Sequence, residues 1–197
     1  MYIAHRINTV AELKKVPQEM GVEIDLRDYN GELVLQHDPF IGGELFSEYL
    51  KYYRHSTMIL NIKSQGVEWK ALEMLDAEGI HDFFFLDLSM TSMFRMFQLG
   101  EKRVASRFSV FEPFENTLAI ANNIEWVWVD TLNEFPLRGE DYLLMRNLNL
   151  RFCLTSPDLL DRPNQIALYK SLCEKREIQF DAVCCKLENV SLWESQE

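Results

Sequence analysis

Short apolar runs recur along the chain at a steady beat, and the stretches between them carry apolar residues at helical spacing. The runs predict strands at Tyr2–Arg6, Val22–Leu26, Met58–Lys63, Phe83–Asp87, Arg103–Arg107, Trp126–Asp130, Leu150–Leu154 and Asp181–Cys185. The intervening patterns predict helices over Thr9–Val16, Gly43–Arg54, Val67–Glu78, Thr91–Leu99, Phe114–Asn122, Leu137–Asn147 and Pro163–Arg176. Ser89 stands where an N-cap would start the fourth helix, and Pro163 suits the opening of the last. Alternation of this kind requires parallel pairing, because a crossover helix must return the chain to the same end of the sheet. Eight strands on that beat predict an α/β fold, a compact TIM (β/α)8 barrel, shorter than the roughly 250 residues usual for that class. After Cys185 only the residues to Glu197 remain, too few for a full last helix. That side is expected to be open, or covered by a partner chain in a homo-oligomer. The alternative is a doubly wound open sheet, but no Gly-x-Gly-x-x-Gly turn follows the first strand. No repeat or linker interrupts the pattern, so residues 1–197 are read as a single domain.

One segment breaks the beat. Asn30-Gly31 lies between two apolar runs, and both residue types tolerate positive φ, which is a hairpin signal. A two-residue loop would bring His37 opposite Ile24; one bulged residue would bring it opposite Glu23. Either register returns His37 to the level of two carboxylates, Glu23 and Asp25.

The totals narrow the partners. Of 197 residues 47% are apolar and 26% charged, enough for a core in an ordered, soluble protein. A net charge of -11 speaks against nucleic acid and against stable membrane association, so an anionic substrate must be met by local cations or a metal. No apolar run reaches the roughly 18 residues of a membrane span, and the N-terminal sequence has no leader-like pattern, so a cytoplasmic location is expected. Cys153, Cys173, Cys184 and Cys185 show no metal-type spacing and read as small buried residues in a reducing compartment.

Charged residues concentrate at the predicted strand ends, which converge on one face of such a barrel. His5 and Arg6 end the first strand, Glu23 and Asp25 the second, Asn61 and Lys63 the third, and Asp87 the fourth. Arg107, Asp130, Thr155, Ser156 and Lys186 follow on the later strands. Glu23 and Asp25 share a strand face and need a compensating cation to stay charged inside a barrel. Arg107 has two readings, as an ion-pair partner of Asp130 or as a substrate contact, and Glu112 likewise. Trp126 and Trp128 share parity and are expected to pack under helices, with Trp128 also a candidate for gripping substrate. His55 and His81 are expected to face solvent.

The series His5-Arg6, Glu23-x-Asp25, His37-Asp38 and Lys63 resembles the glycerophosphodiester phosphodiesterases, within the phosphatidylinositol-specific phospholipase C-like phosphodiesterases, which share a TIM barrel. The likeness is densest over residues 1–63. It implies that His5 and His37 are an acid–base pair and that Arg6 and Lys63 hold the phosphate. It implies further that Glu23, Asp25 and the Asn61 position hold one Mg²⁺ or Ca²⁺, and that the substrate is a small glycerol- or polyol-phosphodiester, cleaved by hydrolysis or through a cyclic phosphate. Asp87, Arg107, Trp128, Asp130 and Lys186 are the remaining candidates for substrate contact.

Three departures stand out. Ile7 replaces the glycine that follows His-Arg in the family, Asn61 replaces a metal-binding glutamate, and the insertion after His-Asp is absent. Asp87 is the candidate to replace the lost charge. A barrel that binds a phosphorylated ligand without cleaving it is the alternative reading, and Schiff-base chemistry at Lys186 a weaker one.

Overall fold

In the computed structural model, which describes residues 1–194, parallel pairing passes from strand to strand nearly in chain order. The first part of the chain forms β1 (Tyr2–Ala4), α1 (Val10–Leu13), β2 (Gly21–Tyr29), β3 (Glu32–Leu35), β4 (Glu44–Leu45) and α2 (Phe46–Leu50). The middle forms β5 (Met58–Ile62), α3 (Glu68–Ala77), β6 (Phe83–Leu86), α4 (Met90–Gln98), β7 (Ala105–Phe108) and α5 (Phe114–Ile120). The last part forms β8 (Trp126–Val129), α6 (Gly139–Arg146), β9 (Arg151–Thr155), α7 (Ile166–Lys175), β10 (Ala182–Cys185) and α8 (Val190–Glu194).

The result is a curled mixed sheet backed by helices. β1 lies between β2 and β10, β2 also pairs with β5, and β5 pairs with β6. β7, β8, β9 and β10 pair in succession, while β6 and β7 meet through a single parallel bridge, Phe85–Val104. Pairing of the first strand with the last is foreign to a doubly wound sheet. β3 and β4 add an antiparallel flap to the edge of β2. No helix among the described residues is long and apolar enough to cross a membrane.

Strand alternation sorts the apolar residues into two layers. Val22, Ile24, Leu26, Met58, Leu60 and Ile62 pack outward against the helices. Ile3, Ile59, Phe84, Trp126, Trp128 and Cys184 fill the concave side in a separate cluster. The tryptophans therefore lie inside the curl, not under helices as expected, because Trp126 stacks on Phe84 at 4.5 Å across the interior. All four cysteines are free thiols, three of them buried and Cys173 partly so.

Other expectations shift for local reasons. The helix expected from Gly43 begins only at Phe46, because Leu35 and Val34 pair with Glu44 and Leu45 to form β4. A Cβ at Gly43 would stand 2.1 Å from the Leu35 carbonyl oxygen, so only glycine allows that approach. The strand expected at Arg103–Arg107 moves to Ala105–Phe108, since Arg103 is drawn off by Glu101 and lies over the Phe83 ring. His55 is half-buried, with its ring bonded to the Val16 carbonyl at 2.9 Å, rather than solvent-facing; His81 is exposed. The chain after β10 makes the short α8, whose Trp193 donates to Ser156 Oγ at 2.9 Å.

The concave cluster sets a stability test. Replacing Trp126, 1% exposed, with alanine should cost about 3–5 kcal/mol in urea unfolding. A loss below about 1 kcal/mol would contradict the packing of this layer.

Candidate functional site

Glu23, Asp25 and Arg27 alternate along β2 onto one face, and the segment after β1 folds back onto them. The His5 amide extends the β1–β10 pairing by donating to the Cys185 carbonyl at 3.0 Å. Arg6 then turns the chain with φ of 58°, its N–H donating to Glu23 Oε2 at 2.8 Å while the next N–H, of Ile7, donates to the Glu23 carbonyl at 2.8 Å. The left-handed residue is thus Arg6 itself. Ile7 does not take a positive φ, so the missing family glycine is no obstacle to this turn.

Asp25 sits in a cage. Its Oδ2 accepts from Asn8 Nδ2 at 2.9 Å and lies 3.5 Å from Arg6 Nε, and its own N–H donates to Asn8 Oδ1 at 2.8 Å. Its Oδ1 lies 3.2 Å from Lys63 Nζ, an ion pair without an aligned hydrogen bond. Asn61, opposite Asp25 in the β2–β5 register, donates from Nδ2 to Glu23 Oε1 at 2.9 Å. Its Oδ1 is buried and has no hydrogen-bond partner. His5 Nε2 is 3.7 Å from Glu23 Oε2.

Burial controls the protonation of this cluster. Desolvation, followed by the Asp25 charge, raises the Glu23 pKa to about 7. Desolvation, followed by the Arg6 charge, lowers that of His5 to about 4, so His5 is neutral near pH 7.

The hairpin has the two-residue register. Asn30 and Gly31 take φ of 51° and 84°, Leu26 pairs with Leu35, and the Gln36 N–H donates to the Asp25 carbonyl at 2.9 Å. That register puts His37 level with Ile24. Arg27 then clamps the departing chain, donating to the carbonyls of Gln36 and His37, each at 3.0 Å. His37 Nδ1 is 2.8 Å from Asp38 Oδ1, which fixes that nitrogen as the donor and leaves Nε2 for other work. Arg6 and His37 line one cavity of about 510 Å³.

On the other side of Asp25, Lys63, Asp87 and Arg107 line a second cavity of about 640 Å³. Arg107 is held by Asp87 and Asp130, with Glu112 at 3.9 Å. Asp87, with φ of 61°, is therefore committed to Arg107 and does not stand in for the charge lost at Asn61. Trp128 lies opposite Arg107 in register, buried, with Nε1 lacking a partner. Lys186 Nζ bonds to the exposed Asp161 at 2.8 Å, and that bond raises its pKa, the reverse of what a Schiff-base lysine needs.

Three residues escaped the sequence reading. Arg27 was legible, since it continues the Glu23–Asp25 parity by one step. Asn8 and Asp158 gave no signal, because Asn8 lies in a loop and Asp158 in the single 3₁₀ turn Pro157–Leu160. Asp158 is buried, accepts from the Lys186 N–H and from Asn189, and keeps one oxygen without a partner while its charge opposes the lowering of the His5 pKa.

Among the described residues no three His, Cys, Asp or Glu side chains group as a ready metal cage. The ligand atoms that Glu23, Asp25 and Asn61 offer are all oxygens, and the free Asn61 Oδ1 is a buried atom in want of a partner. A hard cation such as Mg²⁺, which uses one or two carboxylates and completes its shell from water and phosphate, fits that set.

No protein-family profile matches the chain, and no curated protein matches its sequence. Solved structures do resemble it. A glycerophosphodiester phosphodiesterase from Agrobacterium tumefaciens str. C58 superposes with a TM-score of 0.69 at 12% identity, over 98% of this chain and 99% of that one. A glycerophosphoryl diester phosphodiesterase from Parabacteroides distasonis ATCC 8503 gives 0.66 at 13% identity, over 98% and 86%. The chain therefore has the fold of these enzymes.

The buried pair sets a pH test. Glu23, raised from 4.5 to about 7, makes the folded state hold more protons between those values, so its share of stability falls as pH rises. His5, lowered from 6.5 to about 4, acts in the opposite sense between those values. Glu23→Gln removes the first effect. The stability of that variant relative to the parent should climb by about 2–3 kcal/mol from pH 4.5 to 7, read from urea midpoints. Parallel pH profiles for the two proteins would refute the buried charge.

Proposed function

We propose that this chain is a metal-assisted phosphodiesterase acting on a small glycerol- or polyol-phosphodiester, on a (β/α)8 barrel, a reading of the curled sheet that the Phe85–Val104 bridge supports. The observation that carries the reading is Asp25 held between Arg6 and Lys63, with His5 and Glu23 beside it. Two cations on one carboxylate are a surplus of positive charge that a phosphate can share. One cavity reaches this pair from the Arg6 side and another from the Lys63 side, which would give each alcohol of a diester its own side.

In this reading neutral His5 takes the proton of the attacking hydroxyl, from a neighbouring group of the substrate or from water. As the new P–O bond forms, the bond to the other alcohol breaks, and the leaving oxygen takes the Nε2 proton of His37 in its imidazolium form, whose Nδ1–H stays on Asp38. Arg27 and Asp38 orient His37 for that transfer. Arg6 and Lys63 neutralise charge on the phosphoryl oxygens as it builds. Glu23, Asp25 and Asn61 would hold the divalent ion, which supplies further neutralisation of phosphoryl charge.

His5→Ala and His37→Ala should each lower turnover of a glycerophosphodiester panel by about 10²–10⁴-fold while leaving the far-UV spectrum intact. Phosphorus NMR of the parent reaction separates cyclic from open product. Full activity in both variants would sink the assignment, and tight phosphate binding without turnover in the parent would favour the non-catalytic alternative.

Asn61 supplies an independent test of the metal. Asn61→Glu adds a carboxylate against Glu23, so the variant should melt lower than the parent in EDTA and regain stability with Mg²⁺. A melting temperature indifferent to Mg²⁺ would remove the ion from this site.

A further inference from the structure

The two cavities flanking Asp25 differ in chemistry. The one containing Arg6 and His37 is otherwise walled largely by polar groups, among them Asn8, Gln36, Asp38 and Glu44. The other starts at Lys63 and Arg107 and continues past Leu88 and Met93 to Ile120, between the helices α4 and α5 and the strands. Its path follows the weak seam of the sheet, where β6 and β7 are joined by one bridge. It shares Met90 and Ile120 with an adjoining groove of about 550 Å³, which is lined also by Phe94 and Phe97. Met90 is 60% and Phe94 59% exposed, so a strip of apolar surface leads from the cavity out along α4.

At the inner end of this second cavity Arg107 is neutralised by Asp87 and Asp130, while Lys63, which shares Asp25 with Arg6, keeps charge for the phosphate. Glu68 lines the cavity too, and neither of its carboxylate oxygens has a partner, but both are closed to solvent, so the cavity meets the stem of that side chain. Beyond the phosphate end Leu88, Met90, Met93, Ala119 and Ile120 form one wall, with Gln65, Ser89 and Asn116 at its margins. A hydrophilic alcohol would leave Leu88, Met93 and Ile120 uncovered, whereas each methylene placed there gains about 0.8 kcal/mol.

We infer that this cavity and its groove take an unbranched hydrocarbon group on one alcohol of the phosphodiester, while the glycerol or polyol occupies the polar cavity beside Arg6 and His37. The inference rests on the phosphodiesterase reading for the identity of the ligand, but the apolar subsite stands or falls separately. The ligand enters as a monomer, since the strongly acidic chain does not favour an anionic bilayer.

Calorimetric titration of the full chain with methyl, butyl and octyl phosphate, below micelle-forming concentration, tests the subsite without turnover. Affinity should rise about fourfold per methylene over the first few carbons. Ala119→Trp, an exposed α5 position on the cavity wall, should flatten that rise, and Met90→Asp, at the exposed start of the groove, should blunt it for octyl phosphate. A flat series in the parent overturns the inference, as does a rise that both variants leave intact. Tighter binding of aminoalkyl than alkyl phosphates of equal length also overturns it, because the occupant would then be a cation facing Glu68. Turnover of glycerol alkyl phosphodiesters separates the two claims. Chain-dependent binding with no cleavage keeps the subsite and ends the phosphodiesterase reading; cleavage with kcat/KM independent of chain length does the reverse.

Discussion

A carboxylate removed from water costs several kcal/mol unless charge and hydrogen bonds replace its hydration, and β2 buries two of them on one face. Glu23 and Asp25 repel each other as well. Much of the local architecture meets that demand: the left-handed turn at Arg6 aims its amide at Glu23, Asn61 crosses from β5 to its other oxygen, and Asn8, Arg6 and Lys63 enclose Asp25. The compensation is incomplete, and desolvation, followed by the Asp25 charge, still raises the Glu23 pKa. A chain seeking stability alone would place apolar residues here, since well-packed hydrophobic substitutes for buried ions are often neutral or better. Retaining two acids and two cations in a small interior points to chemistry on an anion.

The apolar floor makes this polar layer workable. Phe84, Trp126 and Trp128 fill the concave side beneath the charged strand ends, lowering the local dielectric and excluding water from below. In such surroundings Arg6, Lys63 and the His5 ring act more strongly than they would in solvent. The same burial lowers the His5 pKa to about 4, so its neutral state is a consequence of packing rather than of a separate device.

The rhythm of strands and helices was legible because alternating apolar runs are a local property, and most strand positions follow from it. The hairpin was legible for a similar reason: Asn30 and Gly31 adopt the positive φ values that their side chains make cheap. What escaped depends on contacts distant in sequence. Nothing local in Glu44-Leu45 announces that β3 will capture it as a strand, and nothing in Asn8 announces Asp25. Asp87 shows the same limit from the opposite side. Its strand-end position was visible, but its commitment to Arg107, 20 residues away, decides what it can do.

Likeness of fold to phosphodiesterases at 12–13% identity says that the backbone path survives wide sequence change, and a barrel path alone hosts many chemistries. The weight therefore falls on groups that the fold itself does not require. A turn left-handed at an arginine, rather than at glycine, stores strain of about 1–3 kcal/mol, and Asp87 takes the same region at the end of β6 at lower cost, since aspartate tolerates it. Both left-handed residues stand at strand ends, on opposite sides of the Asp25–Lys63 pair, and each lines one of the two cavities that flank it. Asn149 and Glu177 take the same region just after helices, where it serves only to turn the chain, whereas Arg6 and Asp87 are each held by an ion pair at a cavity wall.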